Sequence, residues 1–216
     1  VAGTEDIRVN IGAILRNMQA DQIDDGAIVM LNGGTWNLNG QNETIRRLTG
    51  TSVTSGTTTF PTLTLGGATL TLNRLDWDNN PGTSSARSFT GTGTLRFVAD
   101  GATQPVFETN HQGTLTSSLA VQIDALTLTF RASTFGTEIS GKVSGTGKVI
   151  YDPAGGAGGL TLINAANDYS GGTQWSSNSG ANGSWNLFTV RASGALGSGD
   201  VTIQGGNQNT WVTGVS

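Results

Sequence analysis

Hydrophobic positions along the chain fall into two regimes. Across residues 4–22 a stripe of apolar side chains is carried by Ile7, Ile11, Ile14, Leu15 and Met18. Their spacing of i, i+4, i+7, i+8 and i+11 is the stripe of an amphipathic helix and predicts one here. Its start falls either near Thr4 or at Asn10 as N-cap. Asp24-Asp25-Gly26 ends the pattern. From Ala27 onward helical spacing is gone. Short runs take its place, such as Ile28-Val29-Met30-Leu31, Leu63-Thr64-Leu65, Val121-Gln122-Ile123 and Leu160-Thr161-Leu162-Ile163. Clusters of Gly, Asn and Asp separate most of them, which predicts an all-β fold of short strands.

The strand units recur loosely. Gly33-Gly34-Thr35-Trp36-Asn37-Leu38 resembles Gly66-Gly67-Ala68-Thr69-Leu70-Thr71-Leu72, and Gly91-Thr92-Gly93-Thr94-Leu95-Arg96-Phe97 resembles Gly145-Thr146-Gly147-Lys148-Val149-Ile150-Tyr151. A turn of small residues feeds an alternating strand in each case, without a rigid period. A parallel β-helix tolerates that irregularity, because coils stack at the ~4.8 Å strand spacing and insertions bulge at the corners. Inward Leu, Val, Ile and Phe would then form ladders beneath an outward cover of Thr and Asn. A β-sandwich competes, but it prefers longer strands and two-residue hairpin turns, which are scarce here. The expected organisation is a cap or docking segment over residues 1–26 and a β-solenoid over residues 27–216.

Composition adjusts this picture. Of 216 residues, 33 are glycine, about double the average usage of about 7%. Only 12% are charged and 35% hydrophobic, as a narrow solenoid core requires. Disorder is disfavoured by a net charge of −4 and only 4 prolines. Cysteine is absent, which excludes disulfides, thiolate zinc sites and thiol nucleophiles. The acidic balance argues against nucleic-acid binding. No apolar run approaches the ~18 residues of a membrane helix, so no membrane insertion is expected. No secretory leader is visible at the start, and the chain reads as a mature product or an excised piece.

One region resembles a known family. Gly158-Gly159-Leu160-Thr161-Leu162-Ile163-Asn164, then Asn167-Asp168-Tyr169-Ser170-Gly171-Gly172-Thr173, then Ala195-Leu196-Gly197-Ser198-Gly199-Asp200-Val201-Thr202-Ile203, is similar to the autotransporter passenger-associated β-strand repeat. The likeness covers residues 158–206. A weaker one covers residues 33–72 around Asn39-Gly40-Gln41-Asn42-Glu43-Thr44-Ile45. Residues 174–184 depart from the pattern and read as an inserted loop. The resemblance implies a right-handed parallel β-helix in a bacterial protein that is secreted or held at the cell surface. It implies a scaffold and no particular activity.

Candidate chemistry is sparse. The single histidine, His111, reads as a polar corner residue, and no Gly-x-Ser-x-Gly elbow accompanies it. Asp76 and Asp78, two apart on one strand, share a face with Arg74 nearby, the nearest approach to a polysaccharide-cleaving set. The run from Asp76 also begins like a calcium loop, but Pro81 and Arg87 stand where an EF-hand needs Gly and an acid. Asp21, Asp24 and Asp25 read as turn acids. Gly155-Gly156-Ala157-Gly158-Gly159 lacks the Lys-Ser/Thr of a phosphate loop. No catalytic residue, metal site or cofactor is assigned. Among the 5 tryptophans, Trp175 and Trp185 flank the polar loop with Asn178 and Asn182. Those four are the candidate ligand contacts, since exposed aromatics beside amides stack on sugars or anchor a protein. The alternative for each Trp is a core or corner position. Ile7, Ile11, Ile14, Leu15 and Met18 are the candidate capping or docking residues.

Three functions fit. The first is a non-enzymatic structural or adhesive solenoid. The second is a subunit of a self-assembling extracellular filament or sheath, because open strand edges invite stacking. The third is a polysaccharide-active β-helix enzyme. The expected partners are other copies of the chain or other surface proteins, with carbohydrate as a further candidate.

Overall fold

The computed structural model describes residues 6–55, 57–79, 87–111, 114–132, 136–153, 158–176, 187–204 and 211–213. It is an all-β solenoid of stacked parallel coils, as the strand pattern predicts. Each coil runs along up to three faces. The first face is a nine-stranded sheet that starts with Ile7–Asn10 and Ile28–Asn32 and ends with Val201–Gln204. The second begins with Ile14–Arg16, Thr35–Asn37 and Thr62–Thr64, and continues as a six-stranded sheet from Arg87–Phe89 to Trp211–Thr213. The third is a five-stranded sheet from Glu43–Thr44 to Val143–Gly145. Every pairing in these sheets is parallel. Among the described strands, the one antiparallel pair is a hairpin, Val53–Ser55 with Thr57–Thr59, which leaves the stack between the first and second faces.

Alternation within each strand sends every second side chain inward, and the register stacks those side chains into ladders. On the first face one ladder runs Ile7, Val29, Leu48, Leu75, Phe107, Phe130, Tyr151, Trp175 and Ile203. Its neighbour runs Val9, Leu31, Gly50, Trp77, Thr109 and Ala132. The third face contributes Leu70, Leu95, Val121 and Val143 in one row and Leu72, Phe97 and Ile123 in another. Phe97, Phe107 and Phe130 stack between coils with ring centroids 6.0 and 5.4 Å apart. Gly50 is required by volume. A Cβ there would sit 2.4 Å from the six-membered ring of Trp77 on the next coil.

Coil length varies, from Val29 to Leu48 in the shortest step and from Leu75 to Phe107 in the longest. The register resumes after each longer step.

The predicted N-terminal helix is absent. Residues 6–26 instead form the first coil, with strands Ile7–Asn10 and Ile14–Arg16 pairing onto Ile28–Asn32 and Thr35–Asn37. Gly12 between them has φ +76°, a left-handed corner no helix can contain. β-branched Ile7, Val9, Ile11 and Ile14 favour the extended form that an adjacent strand edge stabilises. The helical spacing reflects two short strands joined at a corner.

Candidate functional site

The predicted site residues scatter. Trp175 sits in the sequence Thr173–Ser176, whose alternation points Thr173 and Trp175 inward. It is 1% exposed and belongs to the core ladder beside Tyr151. Its ring is therefore closed to a ligand, which corrects its reading as an exposed contact. Trp185, Asn178 and Asn182 lie outside the described residues. Of the docking set, Leu15 and Ile7 pack partly against the core. Ile11, Ile14 and Met18 are exposed, the latter two at 70% and 71%. Ile14 lies on the outward surface of the second face and Met18 follows that strand.

Asp76 sits on the outward side of the first face, where Arg47 and Arg74 both donate to its carboxylate through Nε, the latter at 2.7 Å. Arg74 also reaches Glu108 at 2.6 Å. Arg131 and Asp152 pair at 3.4 Å on later coils. The Arg47–Asp76–Arg74–Glu108 set thus ties three adjacent strands together, and the Arg131–Asp152 pair stands apart from it. The side chains of Asp78 and His111 lie outside the described residues. Among the described residues, no group of three or more His, Cys, Asp or Glu is placed to hold a metal ion.

The family-like segments stack as successive coils. Asn167 is buried at the end of the third face and takes over from strand pairing. Its Oδ1 accepts from the Val143 backbone N–H at 2.7 Å, and its Nδ2 donates to the Ala195 carbonyl at 2.8 Å. Tyr169 is buried and shares a 2.6 Å hydrogen bond with Thr173. Burial pushes its hydroxyl up to about 12, against a smaller opposing effect of the Thr173 bond. Tyr151 is raised further by burial and by neighbouring Asp152, and it donates to the Gly158 carbonyl. Gly172 and Gly197 take positive φ where a Cβ would meet the carbonyl oxygens of Asp200 and Tyr169. These motifs therefore build corners.

A groove of about 530 Å³ lies over the third face. It exists because the first coil makes no strand there. After Ile14–Arg16 the chain loops outward, held by Gln22, whose Oε1 accepts from the Met18 and Gln19 N–H groups. Asp21, at φ +57°, donates its N–H to the Asn42 carbonyl. The loop places Asp21 and Asp25 along one wall. Thr44, Thr71, Arg96 and Gln122 form the floor, in register across four neighbouring strands.

Glu43 begins the third-face ladder directly beside Leu70 and is 2% exposed. Its Oε2 accepts from Asn17 Nδ2 at 2.6 Å and from the Gln22 N–H at 3.0 Å. Asn17 Oδ1 in turn accepts from Trp36 Nε1 at 2.9 Å. This buried trio welds the outward loop to the core beneath the groove. Arg96 donates from Nε to Asp124 at 2.7 Å, and Gln122 Nε2 reaches the same carboxylate. Burial raises the Asp124 pKa, but those hydrogen bonds and the Arg96 charge together hold it below its ordinary value.

The groove residues were not singled out as a site by sequence. Their signal is present as the outward half of the alternating strands, but the register that assembles them joins positions more than twenty residues apart. Comparisons with protein-family models, with curated proteins and with solved structures returned no match for this chain.

Proposed function

We propose that the chain is a right-handed solenoid segment of a bacterial secreted or surface protein, related to the autotransporter passenger repeats, and that it serves as a non-enzymatic structural or adhesive rod. The carrying observation is the unbroken inward ladder from Ile7 to Ile203, which makes the first face one continuous sheet. Nine strands at ~4.8 Å give a stack of roughly 38 Å. Right-handed crossover between parallel strands is the strongly preferred hand. The bonded corners and outward ion pairs support a load-carrying scaffold with an adaptable surface.

The filament reading is favoured by a separate observation: Ile14 and Met18 are large apolar side chains exposed on the outward side of the first coil.

Antibody against the chain is expected to label intact producing bacteria, and added protease to remove the label. Labelling only after lysis would contradict the surface assignment. New reducing or unsaturated ends released from polysaccharides would contradict the non-enzymatic reading. Sedimentation at rising concentration separates the rod from the filament subunit.

A further inference from the structure

We infer that the groove over the third face is a binding site for an uncharged oligosaccharide strand lying along the solenoid axis. The inference supplies a partner for the adhesive form of the function proposed above and rests on that form.

The first argument is shape. Thr44, Thr71, Arg96 and Gln122 repeat across four adjacent strands at the ~4.8 Å strand spacing. The floor is therefore a regular row of polar groups that runs along the stack. The outward loop belongs to the first coil and stands at the Thr44 end of this row, where Asp21 bonds to Asn42; from there the row runs open along the stack and suits a segment of polymer. A volume of about 530 Å³ lies within the range of small-ligand sites.

The second argument is hydrogen-bond chemistry. A saccharide presents many hydroxyls, each donor and acceptor at once. The floor offers Thr hydroxyls of both kinds and amide and guanidinium donors, while the wall offers carboxylate acceptors. Asp21 and Asp25 have no ion-pair partner among the described residues, whereas Asp124, beside the floor, is paired with Arg96. Two acceptors without protein donors face the cleft and are available to hydroxyl pairs.

The third argument is support. Glu43 and Asn17 fix the loop from beneath through buried hydrogen bonds, so the wall is held in place before a ligand arrives. Such preorganisation lowers the ordering cost of binding.

Charge sets the specificity. The arginine in the groove already donates to Asp124, and Asp21, Asp25 and Glu43 bring negative charge. A uronate polymer would meet repulsion there, whereas a neutral chain would not.

The test uses the full chain on a glycan array carrying neutral hexose, N-acetylhexosamine and uronate oligomers, followed by calorimetry with the best neutral hit. Binding to neutral oligomers in preference to uronates is expected. T71A and Q122A should each weaken that binding about tenfold, as loss of a made hydrogen bond does, and D25N by a similar factor. T129A, on the outward side of the first face, should leave it unchanged. Circular dichroism of each variant confirms that the coils remain folded. No neutral hit, stronger binding of uronates, or full affinity in T71A, Q122A and D25N together would overturn the site. Those results leave the surface-labelling outcome untouched, so failure of the site and failure of the proposed location are read separately.

Discussion

Replacing Gly50 by alanine places a methyl group where the structure holds an aromatic ring. The added Cβ would lie 2.4 Å from Cε3 and 2.5 Å from Cζ3 of Trp77, its register partner on the next coil. Trp77 is 2% exposed and is backed by Phe89, edge-on at 4.6 Å between centroids. The ring therefore has no free direction in which to yield. Overpacking of a well-filled core costs about 1–3 kcal/mol. Alanine returns about 0.4–1 kcal/mol by restricting the unfolded chain. The net expectation is a loss of about 1–2 kcal/mol, and each kcal/mol lowers the melting temperature by about 2–4 °C in a chain of this size. W77L alone should also destabilise, by less than the about 3–5 kcal/mol of a full Trp→Ala truncation. In the G50A/W77L double variant the methyl group fills part of the vacated space. The two losses should then fail to add, with an interaction of at least about 0.5 kcal/mol in favour of the pair. Urea unfolding of the four proteins measures each value. Stability of G50A equal to the parent, or strict additivity in the double variant, would refute the stacked register at this position.

Other outcomes follow from single contacts. N167A strands the Val143 N–H and the Ala195 carbonyl and should cost about 1–3 kcal/mol for each group left buried without a partner, read by the urea midpoint. N17L removes the partner of Trp36 Nε1 and one of those of Glu43, with an expected loss of about 1–3 kcal/mol; an unchanged midpoint would show the trio to be idle. Both tyrosines should titrate late by tyrosinate absorbance. Because the folded value for Tyr169 is near 12 against an ordinary 10.0, stability is complete below pH 10 and falls as pH rises toward 12. Asp124 works in the opposite sense. Its folded pKa lies below the ordinary 3.8, so its contribution is present above that pH and lost as acid protonates the folded form; D124N should remove that part of the acid transition.

Much of the fold is legible in the sequence because strand alternation and corner glycines are local. Gly66-Gly67 and Thr69–Leu72 read as corner and strand, and the structure has them so. The first coil was not legible. Ile7, Ile11, Ile14 and Leu15 carry helical spacing, and only the partner strand Ile28–Asn32 and the left-handed Gly12 decide for strands. Trp175 misleads for a related reason. Its neighbours in sequence are polar, whereas its neighbours in space are Tyr151 and Ile203. The groove is the least legible feature. Thr71, Arg96 and Gln122 look like unrelated surface residues until register aligns them.

The central claim is that one coil stacks on the next at constant spacing. Electron–electron spin resonance between introduced labels measures this directly, and the chain has no cysteine to interfere. Ile28, Thr129, Gln174 and Thr202 lie on one outward row of the first face, linked through Arg47, Arg74, Val106 and Ile150. With one label at Ile28, the second at Thr129, Gln174 or Thr202 should give backbone separations of about 19, 29 and 34 Å at ~4.8 Å per coil. Distances that fail to grow in that order and by those steps would contradict the solenoid.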